Sequence, residues 1–195
     1  MKTRTIFTAA LALISVSVFA QALPVNQKST DIQVKIRQID LMNNILPVLF
    51  RKDQLQQILP LIERARQAEA NLLKQEEKIL RDLEPSLDSA IKEGTEKQVV
   101  AKPELITKIL NTFKGMQLAR QVLSEEHVEK TLKLCEQILD EGQKKAAINA
   151  LDPGFYKGKD PKSFSDRDKL KFFVGGILMD PLSYDLLLKL NRNVK

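Results

Sequence analysis

Residues 50–83 constrain the fold of this chain more than any other stretch. Apolar side chains at Leu55, Ile58, Leu59, Ile62, Ala65, Leu72, Leu73, Ile79, Leu80 and Leu83 recur at three- and four-residue steps, the spacing of one helix face. Read as a single helix over 52–84, the stretch would reach about 50 Å at about 1.5 Å per residue, longer than a small domain is wide. A rod of that length needs partner helices along it, and the rest of the chain has to supply them. Pro60 lies inside the pattern and predicts a kink near 56–60; Pro85 predicts the end of the rod.

The N-terminus carries a different signal. Lys2 and Arg4 precede a mostly apolar run over 6–19, followed by Ala20-Gln21-Ala22. That order of charge, short apolar core and small residues is read as a secretory signal peptide spanning 1–22. The run is shorter than the roughly 20 apolar residues that cross a bilayer, so no stable membrane anchor is expected after cleavage. The mature chain is expected in the periplasm or secreted. Cys135 is the single cysteine, which leaves no partner for an intrachain disulfide.

Composition points to helices. The chain is 43% hydrophobic and 29% charged, with 5% aromatics and no tryptophan, and Leu, Lys, Glu and Gln are good helix formers. The basic excess, +6 before Lys2 and Arg4 are removed, is spread too evenly to argue for nucleic acid.

Taken in order, Asp31 is placed to cap a first helix with Ile32, Ile36, Ile39 and Met42 on its apolar face, ending near Asn44 or Ile45 ahead of Pro47. The short apolar connection over 46–51 is expected to tuck against the core. After the rod, 85–94 reads as a short helix or turn and 95–102 as the main loop. Pro103 and Glu104 suit a helix start, with Leu105, Ile106, Ile109, Leu110, Phe113, Met116 and Leu123 as its face. Ser124 is placed to cap another helix carrying Val128, Leu132, Cys135, Ile138, Leu139 and Ala146, weakened at Gly142 and stopped by Asp152-Pro153-Gly154. The stretch 155–164 reads as a lysine-rich loop. Ser165 or Asp166 then caps a helix with Leu170, Phe173, Val174 and Ile177 inside, and Asp180-Pro181 opens the last, with Leu182, Leu186, Leu187 and Leu190. No stretch alternates as a strand does. The fold expected is all-α, a long helical hairpin or bundle of extended amphipathic helices without a sheet: a signal peptide over 1–22, the bundle over 23–154 and a C-terminal helical pair over 155–195 packed on it.

The residues offer little for catalysis. His127 is the only histidine and lies eight residues from Cys135, over 10 Å along one helix, so the two cannot exchange a proton directly. Cys135 falls on an apolar face, as a small buried hydrophobe does. Glu76-Glu77 and Glu125-Glu126 are adjacent in sequence and therefore point to different helix faces. Gly175-Gly176 lacks the lysine and strand of a phosphate loop and suits close helix packing. No catalytic residue, metal site or cofactor is expected. Glu69 and Glu76 intrude on the apolar stripe of the rod, the mark of an imperfect seam or partly open groove, and Glu77 is spaced to pair with Arg81.

Two short patterns open helices in this reading: Phe50-Arg51-Lys52-Asp53-Gln54 and Leu123-Ser124-Glu125-Glu126-His127. Each places an apolar residue before the helix, a capping position, and a polar side chain able to fold back on the first turn. The pair resembles the Leu-Thr-x-x-Gln signature of the Spy/CpxP family of periplasmic helical proteins. The departures are Phe50 for leucine, Arg51 for the capping threonine and His127 for glutamine. The resemblance implies a bent helical hairpin that forms a homodimer and binds unfolded proteins or an envelope partner.

The function expected is therefore that of a non-enzymatic extracytoplasmic binding protein, a periplasmic chaperone or envelope-stress accessory protein. Its client contacts are placed at Arg64, Lys74, Lys78 and Arg81 with Leu72, Leu73 and Ile79. The alternative is a structural or assembly protein forming a helical oligomer without a client.

Overall fold

The computed structural model describes residues 27–151 and 158–194, and every described regular element is helical. The signal peptide, residues 23–26, the Asp152-Pro153-Gly154 stop and the 155–157 part of the lysine-rich loop lie outside the described residues. The chain divides into two units, Met1–Arg37 and Gln38–Lys195. Six α-helices are described: α1 Gln27–Ile45, α2 Lys52–Lys97, α3 Pro103–Ile138, α4 Glu141–Asn149, α5 Asp166–Phe173 and α6 Ser183–Asn193.

The first helix starts ahead of Asp31, which does not cap it. Its expected apolar face is overturned: Ile32, Ile36 and Ile39 are exposed, and the buried residues near its end are Leu41, Asn44 and Ile45. Within the second unit, Leu41 and Ile45 at the end of α1 belong to the core, and the buried positions continue through Val48 and Phe50 of the connection. The same connection leaves Leu49 exposed in the left-handed region, φ 51°.

α2 is longer than its sequence pattern suggests. It runs through Pro60 and Pro85 to Lys97, about 70 Å of helix. Pro85 does not break it, and 85–94 belongs to the same rod. A proline removes one backbone donor but leaves the neighbouring helical bonds to carry the turn, at a cost in stability. A short connection, with Gln98 left-handed at φ 56°, leads into α3, which begins at Pro103 with Glu104 in its first turn as expected. α3 then continues unbroken past Ser124, so Ser124 is not a cap. α2 and α3 pack against each other as an antiparallel hairpin.

The core sits at one end of that hairpin. Leu55, Ile58, Leu59 and Ile62 of α2 meet Val128, Leu132, Cys135 and Leu139 at the end of α3, together with Ala147 of α4, Leu170 and Phe173 of α5, and Leu187 of α6. Beyond Ile62, α2 buries only Glu76 and Leu83; before Val128, α3 buries only Met116. Past that core α2 and α3 continue as a two-helix arm, whose near end alone touches the other elements of this head, Arg66 lying over Tyr184 of α6.

The head is fixed by matched helix starts. Gln54 Oε1 accepts from Arg51 N at 2.9 Å, closing the first turn of α2. At α4, Asp140 Oδ1 accepts from Gln143 N at 2.8 Å while Gln143 Oε1 accepts from Asp140 N at 3.2 Å. The two buried amides then meet: Gln54 Nε2 donates to Gln143 Oε1 at 2.8 Å and to the Ile138 carbonyl at 2.7 Å, and Gln143 Nε2 donates to the Leu49 carbonyl at 3.1 Å. Leu123–His127, expected to open a helix, lies inside α3; the helix start that Gln54 meets is that of α4, at Asp140. Ser165 caps α5 by accepting from Asp168 N at 3.1 Å. Asp180 Oδ1 accepts from Leu182 N at 2.9 Å ahead of α6, close to the expected Asp180-Pro181 start. Arg167 and Lys171 of α5 bridge to Glu129 and Glu136 of α3 at 2.7–3.0 Å.

Between α5 and α6, residues Val174–Leu178 form a single π-helical turn. Gly175 lies over Val128, where an added Cβ would stand 3.5 Å from Cγ2, an ordinary van der Waals contact, so the packing there does not require glycine.

Candidate functional site

A two-helix arm has no inside. Each helix can bury one stripe against the other, and every further apolar residue faces solvent unless a third layer covers it. Here the further residues are large: Leu73, Leu80 and Ile91 on α2, and Ile106, Leu110, Phe113, Leu118 and Val122 on α3. Phe113 is 55% exposed and Val122 is 57% exposed. Leu73 and Leu80 fall on one face of the arm, Leu118 and Val122 on another. One holds a groove of about 610 Å³ walled by Leu73, Leu80, Leu87 and Met116, with Glu77 and Glu84 on its rim. Phe113 and Ile106 lie seven and fourteen residues before Arg120, another wall residue, and so extend this groove towards the tip. The other face holds a groove of about 660 Å³ walled by Ala68, Leu72, Gly115, Leu118 and Val122.

One ion pair sets the register of the arm. Glu76 is only 3% exposed between the helices, and Arg120 grips both its oxygens, with Nε to Oε1 at 2.7 Å and Nη2 to Oε2. The Arg120 hydrogen bond holds the Glu76 carboxyl below its ordinary value, against the opposing pull of burial. The intruding glutamate is thus a paired seam residue; Arg120, its partner 44 positions away, had no local signal in the sequence.

The expected client residues do not gather into one site. Arg64, Lys74, Lys78 and Arg81 are all exposed on α2, but Arg81 is held by Glu77, Nη2 to Oε1 at 2.6 Å. Leu73 lies in the first groove with Arg81, and Leu72 in the second. Ile79 is exposed on α2 outside both walls. The residues missed are on α3: Ile106, Leu110, Phe113, Leu118 and Val122. Phe113, Ile106 and Leu110 belong to the helical face that the spacing marks, but spacing does not say whether anything covers that face.

Cys135 is fully buried, and desolvation pushes its thiol up to about 12. It is a packing residue, as its spacing suggests. Among the described residues no cluster of three His, Cys, Asp or Glu side chains is placed to hold a metal ion, and no helix is long and apolar enough to cross a membrane. No protein-family model, curated protein or solved structure matches the chain.

Proposed function

We propose that this chain is a non-enzymatic binding protein working outside the cytoplasm, whose arm holds apolar segments of partly unfolded or envelope proteins. The observation that carries the reading is the pair of apolar grooves along a two-helix arm that no other described element covers. Exposed apolar stripes rimmed by charge are what protein-binding surfaces present, and long shallow grooves suit extended or helical segments. The charge, apolar run and small residues of 1–22 support export.

A second reading has its own observation. Leu73, Leu80 and Leu87 step by seven along α2, and Ile106 and Phe113 step by seven along α3, the repeat by which helices pack side by side into bundles. On that reading the first groove is filled by another copy of the chain, and there is no client.

Light scattering from a heat-unfolding client enzyme separates the two. The binding reading expects the chain to suppress scattering at near-equimolar ratio, and L80S/F113S to lose most of that suppression. A defined oligomer by sedimentation, with no effect on scattering, supports assembly and rejects client binding.

A further inference from the structure

Helix α1 carries an apolar stripe of its own. Ile32, Ile36 and Ile39 recur at steps of four and three, and each is more than half exposed, at 57%, 62% and 62%. Exposed isoleucines scattered singly are ordinary, but three on one helix face are the anchor pattern of a helix that lies in an apolar groove. Lys35, three residues after Ile32 and four before Ile39, borders that stripe. It is exposed, and among the described residues no carboxylate pairs with it.

The first arm groove presents a matching surface. Leu73, Leu80 and Leu87 step by seven along its α2 wall, the same step as Ile32 to Ile39. That wall spans about 21 Å, within the roughly 28 Å of α1. The charges of the groove do not cancel. Arg120 is held by Glu76 and Arg81 by Glu77, while Glu84 acts on Arg81 only through its field and has no salt bridge among the described residues. An unpaired lysine edges the apolar stripe, and an unpaired carboxylate edges the apolar groove. Such flanking charges set partner choice when helices pack side by side.

We propose that the first arm groove is occupied by α1 of a second copy of this chain, with Ile32, Ile36 and Ile39 against Leu73, Leu80 and Leu87 and with Lys35 at Glu84. The inference rests on that groove being a protein-binding surface, as proposed above, and names its occupant. Each copy carries both halves of the contact, so a reciprocal exchange closes as a dimer.

Sedimentation equilibrium of the full mature chain tests this, and the expected result is a concentration-dependent monomer–dimer equilibrium. I32Q/I36Q/I39Q, in which glutamine keeps a high helix propensity, should weaken the dimer at least about tenfold with unchanged circular dichroism. L73Q/L80Q in the groove should do the same. K35E and E84K should each weaken it about fivefold, the size of two exposed ion pairs lost. K35E/E84K together should restore it, because the swap returns opposite charges to the contact. No self-association, a dimer indifferent to the α1 substitutions, or no recovery in the double swap would overturn the proposal. Client binding is read separately by light scattering. If no variant or wild type suppresses scattering while the charge swap still rescues the dimer, the client reading fails and this one stands.

Discussion

Gln54 shows how much a single side chain can hold. It is fully buried, closes the first turn of α2 and crosses the core to Gln143 and the Ile138 carbonyl. Removing either amide strands buried donors and acceptors on both helices, at about 1–3 kcal/mol for each group left unpaired. Gln54→Ala is expected to cost about 3 kcal/mol by urea denaturation, and Gln143→Ala somewhat less. A double-mutant cycle should return about 1–2 kcal/mol of coupling, and additive losses would show that the amides act separately. Glu76 makes a different prediction, one of pH. Its carboxyl is held below 4.5 by Arg120, so it favours the folded chain above the unfolded carboxylate value, and that contribution disappears as pH falls through the lowered one. The wild type should therefore lose stability more steeply than Glu76→Gln as pH drops below about 4.5. Arg120→Ala leaves a buried carboxylate and should cost about 2 kcal/mol at neutral pH, less than a fully buried pair because Arg120 is itself half exposed. Parallel acid profiles for wild type and Glu76→Gln would contradict this account. Gln54 was legible in the sequence as a side chain folding back on its helix start; its tie to Gln143, 89 residues on, was not, because two glutamines carry no mark of proximity.

Among the elements, α2 is the one whose length was least legible. Apolar spacing from Leu55 to Leu83 marks the helix well, and Pro85 then reads as a stop because an interior proline loses a backbone bond. The helix continues because the turns on either side keep theirs and Leu83 is buried just ahead of it. Pro85 is thus a standing cost in the arm, and Pro85→Ala is expected to stabilise it by about 1–3 kcal/mol. Amide hydrogen exchange at 80–97 should slow in that variant. Unchanged or faster exchange there would mean that the proline is matched to a local geometry alanine cannot reproduce. Ser124 illustrates the opposite error: a serine followed by two glutamates looks like a helix start, yet here it lies in mid-helix, and the true start is Asp140 with its reciprocal Gln143 bond. Cap residues are informative where an apolar pattern also breaks. Leu139, in extended conformation at φ −84°, supplies that break.

For the second unit as a whole, the division between head and arm decides what the chain can do. Helical spacing marks the apolar stripes of both but does not tell a covered stripe from a bare one: Leu132 and Phe113 sit on equally good apolar faces, and only the first is buried. The difference comes from α4, α5 and α6, which pack over the near end of the hairpin and leave the far end with two helices. If the bare faces are a working surface, they should be the part of the molecule that responds to a partner. Hydrogen exchange of the full chain, alone and with a chemically unfolded client, reads this residue by residue. Slowing is expected at 73–91 and 106–122 on client addition, with the head helices α4, α5 and α6 unchanged. Slowing confined to the head, or no change in the arm at a client concentration that saturates, would contradict it.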